Sequence, residues 1–496
     1  MRSYQMSPGI TIIGLGPGDS QLWTEAAAQY LRYAIEVHVY TSHPSLPDIP
    51  GRLRYVTPPT DPSHPAADRF RQIAVEVVLL SQRRPEFILA VPGHPSLDDP
   101  VTPRLCAEAK AAGLPVTIVP GLSYFEAVVA ALGLTEVHSL QLADAYELAQ
   151  LYHPLLEPDR PALVRHIDDQ TLAARLKQTL LNAYPADFSV TLVHSPGGPT
   201  EAIWTGPLSE IDSQSFLAAS ASLYLPADTN LSGFNTFQQI IAHLRSPNGC
   251  PWDRKQTHQT LRPYLLEETY EVLETIDAND PDALAEELGD LLLQIVLHTQ
   301  IATDTGEFKM GAVLDHINRK MLRRHPHVFG DVAVNHADEV KVHWEAIKQA
   351  EKAAKGQTNH HASALDGVAK ALPALAEALA ISKKAVGVGF EWPDIEGVLD
   401  KINEEAREVA EATEPDHLEA EVGDLLFSIV NLARWQNVDP ESALRSTSAR
   451  FTQRFKQVEA LAQAQGRQLS EMTLAEMDQL WDQAKAILAG NADNVG

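Results

Sequence analysis

The second half of the chain contains the same segment twice, and this duplication narrows the choice of fold more than any other feature. Residues 281–292 (PDALAEELGDLL) align with residues 415–426 (PDHLEAEVGDLL), with eight of the twelve positions identical. Upstream, residues 267–271 (EETYE) align with residues 404–408 (EEARE). Helical periodicity dominates after Pro226, and runs of β-branched residues are scarce there. A tandem duplication of this kind predicts two all-α units of one fold.

The first 226 residues follow a different pattern, in which short apolar runs alternate with amphipathic stretches. Strands are expected where the runs are rich in branched side chains, at residues 10–15, 35–40, 87–91, 116–119, 162–164, 190–193 and 222–226. Helices are expected over the amphipathic stretches at residues 24–32, 66–82 and 101–112. This alternation predicts right-handed crossovers, a largely parallel sheet covered on both faces, and a second α/β lobe.

Together the two patterns predict a multidomain fold class, with a two-lobed α/β domain followed by two all-α helical units. We expect the α/β domain at residues 1–226, the first helical unit at residues 234–351 and the second at residues 363–490. The polar segment 352–362 is predicted to link the two helical units. A chain of 496 residues is too long for one ordinary core, which agrees with this division.

Net charge and cysteine content exclude several classes of protein. The chain has 39 Lys and Arg residues against 66 Asp and Glu residues, so its formal net charge is −27. Such a surface repels phosphate backbones, and we expect no nucleic-acid partner. Cys106 and Cys250 stand far apart, the first residues lack a signal-peptide core, and no apolar stretch is long enough to span a membrane. We therefore expect a cytoplasmic protein with no membrane partner.

Each helical unit carries the acidic pattern Glu-Glu-x-x-Glu, followed after a short gap by Glu-x-x-Asp. The pattern consists of Glu404, Glu405, Glu408, Glu421 and Asp424 in the second unit, and of Glu267, Glu268, Glu271, Glu287 and Asp290 in the first. Spacings of three and four residues place side chains on one face of a helix. Pro415 predicts the start of a new helix between the two halves of the pattern. Two helices joined by a short loop pack antiparallel, so their acidic faces are expected to converge.

Converging carboxylates raise one another's pKa values or splay apart unless a cation binds. Two of them 4 Å apart repel by about 4 kcal/mol at an effective dielectric constant of ~20, and a bound ion removes that repulsion. Oxygen ligands without Cys or His select hard divalent ions, so the pattern predicts Mg²⁺ first and Mn²⁺ second. The alternative is a solvated acidic face, which is common on the helices of acidic proteins. The duplication of the pattern and its apolar neighbours, such as Leu288 and Leu425, favour the ion site.

Several longer motifs indicate a family. They are NGCPWD at residues 248–253, LEETYE at 266–271, ELGDLL at 287–292, RRHPHVF at 323–329 and GVGFEW at 387–392. With these motifs in order, residues 234–490 resemble the MazG-type nucleoside triphosphate pyrophosphohydrolases. The resemblance implies an all-α enzyme that uses Mg²⁺ to cleave a nucleoside triphosphate between its α and β phosphates, giving a monophosphate and pyrophosphate. It also implies a homodimer or a higher homo-oligomer.

The same resemblance implies roles for individual residues. Metal ligands would be Glu405, Glu408, Glu421 and Asp424 in the second unit and Glu268, Glu271, Glu287 and Asp290 in the first. Glu404 would complete the catalytic set, either as an accessory acid or by helping to activate water. Nucleotide contacts are implied for Lys401, Arg450, Arg454, Trp481 and Lys485, and for Lys320, Arg324, Trp344 and Lys348 in the first unit. Arginine suits phosphate because its fork donates two hydrogen bonds, and tryptophan can stack on a base or sugar. Because the first unit has Tyr264 at the position of Lys401, we expect the second unit to be the principal catalyst and the first to be weaker or structural.

A glycine-rich turn, GLGPGD at residues 14–19, directly follows the first expected strand. Glycine there permits positive φ and close approach of the backbone to a ligand, although a tight structural turn has the same composition. Together with VPGHPS at 91–96 and VPGLS at 119–123, the turn resembles the tetrapyrrole (corrin/porphyrin) methylase superfamily over residues 8–226. The resemblance implies a cleft for S-adenosylmethionine between two lobes, contacted by Gly14, Gly16, Pro17, Gly18, Gly93, Pro120, Gly121 and Ser123. The complete chain resembles the YabN-type fusion of a methylase-like domain to MazG units.

The sequence favours a house-cleaning hydrolase over two alternatives. One alternative is an S-adenosylmethionine-dependent methyltransferase whose helical half serves for oligomerisation. The other is a regulator that binds nucleotides without catalysis. Both repeats retain the full acidic pattern, and neither alternative requires four clustered carboxylates, whereas hydrolysis with Mg²⁺ uses them to hold the ion. We therefore expect nucleoside triphosphates as the small-molecule partners.

Overall fold

The computed structural model of the protein describes residues 9–56, 66–84, 86–135, 137–217, 221–332, 334, 336–354 and 363–492. The chain divides into two compact units, residues 1–255 and residues 256–496. The first unit is α/β and the second is helical. Within the described residues, every helix is too short or too polar to traverse a lipid bilayer.

The first lobe of the α/β unit is built on a parallel five-stranded sheet. Its strands are β1 (Gly9–Gly14), β2 (Glu36–Val39), β3 (Arg52–Tyr55), β4 (Glu86–Val91) and β5 (Val116–Val119). They are ordered β3-β2-β4-β1-β5, and every pair is parallel. The helices of this lobe are α1 (Glu25–Tyr33), α2 (Ala66–Ser81), α3 (Thr102–Ala111) and α4 (Tyr124–Ala131).

The continuous apolar run of β4 explains why this sheet is covered on both faces. Phe87 and Leu89 pack with Leu105 of α3, whereas Ile88 packs on the other face with Leu31 of α1. Successive strand side chains point to opposite faces, so such a run needs a helix layer on each side. The three glycine-rich segments follow β1, β4 and β5 directly, at the carboxyl ends of the strands. Ligands bind at this edge in parallel α/β sheets.

The second lobe contains a mixed five-stranded sheet. Its strands are β6 (Gln141–Asp144), β7 (Ala162–Ile167), β8 (Ser189–His194), β9 (Ala202–Pro207) and β10 (Ala221–Leu225), in the order β6-β7-β10-β8-β9. Helices α5 (Ala145–Leu148) and α6 (Gln170–Leu180) pack on it. Only β6 and β7 are parallel to each other. The predicted parallel sheet is therefore confirmed in the first lobe. The predicted second α/β lobe is also present, and its sheet is mixed, because residues 195–201 are too short a link for a crossover between β8 and β9.

The remainder of the described chain is helical. Helices α7 (Phe234–Arg245) and α8 (Pro251–Lys255) complete the α/β unit, residues 1–255. The helical unit, residues 256–496, contains α9 (His258–Ala278), α10 (Pro281–Thr305), α11 (Met310–Arg324), α12 (Pro326–Phe329), α13 (Ala337–Ala354), α14 (Ala374–Val386), α15 (Ile395–Glu411), α16 (Pro415–Trp435), α17 (Pro440–Ala464) and α18 (Leu474–Ala492). Short 3-10 helices lie at Ser20–Leu22, Leu46–Asp48, Leu208–Ser213 and Leu469–Glu471. The predicted all-α character is confirmed for the described part of this unit. Helix α13 extends into the predicted linker, of which residues 355–362 lie outside the described residues.

Two helical hairpins position the acidic patterns. Between α9 and α10, Asn279 adopts the left-handed conformation (φ 53°) and the Asp280 side chain caps the first turn of α10. Pro281 and Pro415 stand at the starts of α10 and α16, where the missing N–H would have no helical partner. Each hairpin therefore packs its Glu-Glu-x-x-Glu helix against its Glu-x-x-Asp helix.

Candidate functional site

In the second half of the helical unit, three carboxylates from two helices converge. Glu405 and Glu408 lie on α15 and Glu421 lies on α16, and one ligand oxygen of each lies within 4.8 Å of the other two. Glu405 is 4% exposed, and the other two are half-buried. Asp424, one helical turn after Glu421, is exposed and lies outside this group. The hairpin thus assembles three of the four predicted ligands.

The negative charge of this group is only partly balanced. Lys401 donates from Nζ to Glu405 Oε1 at 2.7 Å and to Glu404 Oε1 at 3.0 Å, and these contacts raise the pKa of the lysine. Burial raises the pKa of the Glu408 carboxyl, and the neighbouring Glu421 and Glu405 raise it further. A raised carboxyl pKa means that the ionised form is disfavoured where it stands. One ammonium facing several carboxylates leaves a site that suits an additional cation.

The first half of the helical unit assembles a different triplet from the same pattern. Ligand oxygens of Glu268, Glu287 and Asp290 lie within 4.8 Å of one another, and Glu271 is not part of this triplet. Burial raises the pKa of Glu268, followed by the charges of Asp290 and Glu271. Burial, Glu271 and Asp290 likewise raise the pKa of Glu287. Lys401, which partly balances the charge of the second triplet, is replaced by Tyr264 at the equivalent position of the first unit.

Two polar contacts add to the predicted ligands. Gln294 Nε2 donates to Glu268 Oε1 at 3.3 Å, and the amide oxygen of this buried residue has no hydrogen-bond partner among the described residues. In the second triplet, His417 Nε2 lies 2.9 Å from Glu421 Oε1. The His417–Glu421 contact has i,i+4 spacing, which is a sequence signal that could have predicted it, whereas Gln294 and Glu268 lie on different helices and have no such signal.

The predicted nucleotide contacts of the second unit lie on a separate hairpin, formed by α17 and α18. Arg450 and Arg454 are one turn apart on α17, and Trp481 and Lys485 are one turn apart on α18. Trp481 packs against Phe451, with ring centroids 5.0 Å apart, and borders the apolar core of this hairpin. Among the described residues, none of the three basic side chains forms an ion pair with the second carboxylate triplet. The structure therefore groups the basic residues with the tryptophan and keeps them on other helices than the acids.

In the first unit, the corresponding residues lie on α11 and α13, and Arg324 is ion-paired. Lys320 and Arg324 are one turn apart on α11, as Trp344 and Lys348 are on α13. The Arg324 guanidinium lies over the Trp344 ring at 5.2 Å, and its Nη2 donates to Glu351 Oε2 at 2.7 Å. Glu351 lies on α13 three residues after Lys348 and was not predicted from the sequence.

In the α/β unit, the predicted cofactor segments meet at the carboxyl ends of β1, β4 and β5. Gly16 and Gly93 have left-handed backbones (φ 75° and 62°) and exchange two backbone hydrogen bonds, of 2.8 and 3.3 Å. A Cβ atom on Gly14 would lie 2.5 Å from the Gly121 nitrogen and 2.6 Å from the Gly93 oxygen. The close packing of three backbone segments therefore requires these glycines. The other predicted contacts in these segments are Pro17 and Gly18, which are buried, and Pro120, which is exposed.

Ser123, the last predicted cofactor contact, belongs to a buried hydrogen-bond cluster around Asp98. Its Oγ donates to Asp98 Oδ1 at 3.1 Å and caps the start of α4. Asp98 also accepts from the backbone N–H groups of His94 and Tyr124, at 2.7 and 3.1 Å. Arg165 Nη1, from β7 of the second lobe, lies 3.3 Å from the same carboxylate. The Ser123 hydroxyl is thus engaged within the protein, and Asp98, which the sequence analysis does not single out, links the two lobes.

The donor set of the second triplet fits a hard divalent cation. It offers only carboxylate oxygens, including one on the buried Glu405, and burial together with the neighbouring acids raises the pKa of Glu408. Mg²⁺ and Mn²⁺ prefer such ligands, and either would neutralise the excess negative charge. The first triplet offers a second all-oxygen set.

We expect Mg²⁺ to raise the thermal unfolding temperature of the helical unit, because the cation removes repulsion between the carboxylates. In the metal-free protein, Glu408→Gln should raise the same temperature, since it removes one repelling charge, and it should weaken the response to Mg²⁺. Differential scanning calorimetry with and without Mg²⁺ measures both effects. Glu419→Gln is the control and should change neither, because Glu419 is exposed about 200° around α16 from Glu421. A metal-free Glu408→Gln protein that unfolds earlier than wild type would contradict this electrostatic account.

The sequence matches the models of two domain families. Residues 9–212 match the tetrapyrrole (corrin/porphyrin) methylases. Residues 256–329 and 394–459 match the MazG nucleotide pyrophosphohydrolase domain. The two MazG matches contain both acidic patterns, and they fall in the helical unit, whereas the methylase match falls in the α/β unit.

Three relatives extend these matches. The uncharacterised protein YabN of Bacillus subtilis (strain 168) is 38% identical over 492 residues, which cover 97% of this chain and 99% of YabN. The nucleoside triphosphate pyrophosphohydrolase/pyrophosphatase MazG of Thermotoga maritima is 48% identical over 252 residues, covering 51% of this chain and 95% of its own length. The nucleoside triphosphate pyrophosphohydrolase of Escherichia coli (strain K12) is 43% identical over 252 residues, covering 50% and 94%. The chain therefore belongs to the MazG family and carries a tetrapyrrole methylase domain ahead of its two MazG units.

Proposed function

We propose that the protein hydrolyses nucleoside triphosphates to nucleoside monophosphates and pyrophosphate, with Mg²⁺ held in the second helical unit. The observation that carries this proposal is the convergence of Glu405, Glu408 and Glu421 within 4.8 Å of one another. The pyrophosphohydrolases of Thermotoga maritima and Escherichia coli match the same half of the chain, which supports it.

In the proposed site, acidic residues hold the metal and basic residues hold the phosphates. Glu405, Glu408 and Glu421 would bind the ion together with Asp424, which follows Glu421 by one turn of α16. Mn²⁺ could replace Mg²⁺, because both ions accept carboxylate oxygens. A bound ion would neutralise phosphate charge and lower the pKa of water. The substrate side is assigned to the residues of the α17–α18 hairpin, namely Arg450, Arg454, Trp481 and Lys485.

Lys401 and Glu404 have proposed roles beside these ligands. Lys401 contacts both Glu404 and Glu405, so it can turn towards a phosphate once a metal ion neutralises Glu405. Glu404 is exposed on α15 and would accept the proton of the attacking water. The water oxygen then forms the new bond to phosphorus, the bond to the departing pyrophosphate breaks, and Arg and Lys side chains balance the charge of that leaving group.

The first unit is proposed to be a weaker or structural site. It retains the carboxylate triplet of Glu268, Glu287 and Asp290, with Glu271 nearby, but it lacks the lysine of the second unit. The residues of this unit that correspond to the nucleotide contacts of the second are Lys320, Arg324, Trp344 and Lys348.

The proposed working form is a homodimer or a higher homo-oligomer in the cytoplasm. Leu288 and Leu292 on α10 are exposed, and so are Val422 and Leu426 at the equivalent positions of α16. Apolar side chains exposed at repeated positions are typical of a surface covered by another copy of the chain. The cysteines Cys106 and Cys250 are free thiols, which suits a reducing compartment.

A phosphate assay with and without added inorganic pyrophosphatase tests the proposed hydrolysis. We expect inorganic phosphate only when the nucleoside triphosphate, Mg²⁺ and the pyrophosphatase are all present, because the direct product is pyrophosphate. A methyltransferase with a helical oligomerisation module, or a non-catalytic nucleotide-binding regulator, would give no phosphate at all. Phosphate released without the pyrophosphatase would show cleavage of the terminal phosphate and contradict the proposal.

For the α/β unit we propose an S-adenosylmethionine site at the glycine-rich segments. The match to the methylase family and the meeting of Gly16, Gly93 and Gly121 at the carboxyl ends of the strands support it. Isothermal titration with S-adenosylmethionine is expected to give saturable heat. ATP without metal is the control, since it shares the adenosine group and should give none. No heat with S-adenosylmethionine would leave this unit as a scaffold.

A further inference from the structure

The two helical units differ in what surrounds their equivalent arginines. In the first unit, Arg324 donates from Nη2 to Glu351 Oε2 at 2.7 Å, and its Nε lies 3.4 Å from Glu351 Oε1. Arg323 Nε donates to the same Oε1 at 2.6 Å. We call this group of three residues the arginine clamp. The side chains of Arg324 and Glu351 are 14% and 16% exposed, so most of the ion pair is shielded from water.

One edge and one face of the Arg324 guanidinium are occupied. The edge donates to Glu351, and the face lies 5.2 Å over the ring of Trp344. Hydrogen bonds from Arg324 and Arg323 lower the pKa of Glu351 to about 2, so the clamp stays charged at neutral pH. An arginine held in this way gives its bidentate Nε–Nη2 edge to Glu351 and not to a phosphate.

The second unit lacks the carboxylate of the clamp. Helices α13 and α18 carry equivalent residues at the same spacings, which are Trp344, Lys348 and Glu351 on α13 and Trp481, Lys485 and Leu488 on α18. Leu488 therefore stands where Glu351 stands in the first unit. In the part of the chain that the structure describes, no carboxylate pairs with Arg454, the equivalent of Arg324.

We propose that Glu351 closes the phosphate-binding side of the first unit, so that only the second unit takes up a nucleoside triphosphate. This inference rests on the proposed function, because it treats Arg324 as the counterpart of a phosphate-binding Arg454. A triphosphate at the first unit must displace a shielded carboxylate from two arginines before it can bind them. Glu351 is thus a specificity-determining residue that separates the two repeats, although both carry a carboxylate triplet.

Equilibrium dialysis of the full chain counts the nucleotide sites. The probe is ATP with a methylene group in place of the α,β-bridging oxygen, together with Mg²⁺. We expect one nucleotide per wild-type chain and two per chain of Glu351→Leu, which introduces the residue of the second unit. Removal of the competing charge is expected to raise the affinity of the first unit about 10- to 100-fold. The matched control is Asp315→Leu, which breaks an Arg319–Asp315 pair of 2.6 Å on α11 and should leave one site.

A second substitution assigns the sites to the two units. Arg454→Ala in the wild-type chain should reduce the number of bound nucleotides from one to zero. The same substitution in the Glu351→Leu chain should reduce it from two to one. The proposed role of Glu351 would be overturned by two nucleotides bound to each wild-type chain. Equal numbers of bound nucleotides on the wild-type and Glu351→Leu chains would also overturn it. A wild-type chain that binds none contradicts the proposed function instead, and a nucleotide gained by Glu351→Leu in that case still supports the clamp. If Glu351→Leu does not fold, Glu351→Gln keeps the shape of the side chain and supplies the same comparison.

Discussion

Glu408→Gln is expected to lower pyrophosphate release from a nucleoside triphosphate by at least about 100-fold, since even partners of metal ligands typically contribute about 10- to 100-fold. The amide keeps the size of the side chain but removes a charge that lies within 4.8 Å of Glu405 and Glu421. Steady-state rates at saturating Mg²⁺ and nucleotide, with pyrophosphatase as the coupling enzyme, measure the loss.

Glu271→Gln is the matched comparison, because Glu271 occupies the same place in the first repeat. We expect Glu271→Gln to retain most of the activity. The first unit has Tyr264 at the position equivalent to Lys401, and its Arg324 is paired with Glu351. Glu419→Gln should retain all of it. Loss of activity with Glu271→Gln but not with Glu408→Gln would reverse the assignment of the principal site.

Asp98→Ala is expected to destabilise the α/β unit by about 3–5 kcal/mol, as removing one partner of a buried ion pair does. The Asp98 side chain is 1% exposed and accepts hydrogen bonds from Ser123, His94 and Tyr124, besides its contact with Arg165. Alanine leaves these donors without their acceptor and the arginine without its charge partner. Hydrogen exchange of peptides from residues 86–128, followed by mass spectrometry, measures the local stability of the full chain.

Asp212→Ala provides the control in the same unit. Lys177 and Asp212 form a closer pair, at 2.6 Å, but their side chains are 22% and 24% exposed. Because solvent screens such a pair, Asp212→Ala is expected to lower the free energy of unfolding by less than about 1 kcal/mol. Equal losses for the two substitutions would mean that burial does not set the strength of the Asp98 cluster.

The interior strands of the α/β unit are predictable from the sequence, whereas three strands at the sheet edges are not. The prediction omits β3, β6 and β9, and each of them lies at one end of its sheet. An edge strand is covered on fewer sides, so its sequence need not be a continuous apolar run. Arg52–Tyr55, with two arginines in four residues, shows this plainly. The antiparallel pairing of the second lobe joins mainly the interior strands β7, β8 and β10, and their apolar runs do not specify strand direction.

The candidate metal site is predictable as a pair of acidic helix faces, but not as a set of atoms. Spacing alone predicts that α15 and α16 face each other with their acids. It cannot predict that Glu408 joins one triplet while Glu271, its counterpart, stays outside the other. That choice depends on the rotation and register of two packed helices, which apolar packing sets. The pairing of Arg324 with Glu351 joins residues 27 positions apart and has no local signal.

The central claim is that carboxylates of two neighbouring helices hold a hard divalent cation in the second unit. Crystals of the protein grown with Mn²⁺ test it directly, because the anomalous scattering of manganese locates the ion. The account predicts an anomalous peak within bonding distance of Glu405, Glu408 and Glu421. A fully loaded protein whose manganese binds elsewhere, with these three side chains turned away from it, would contradict the account.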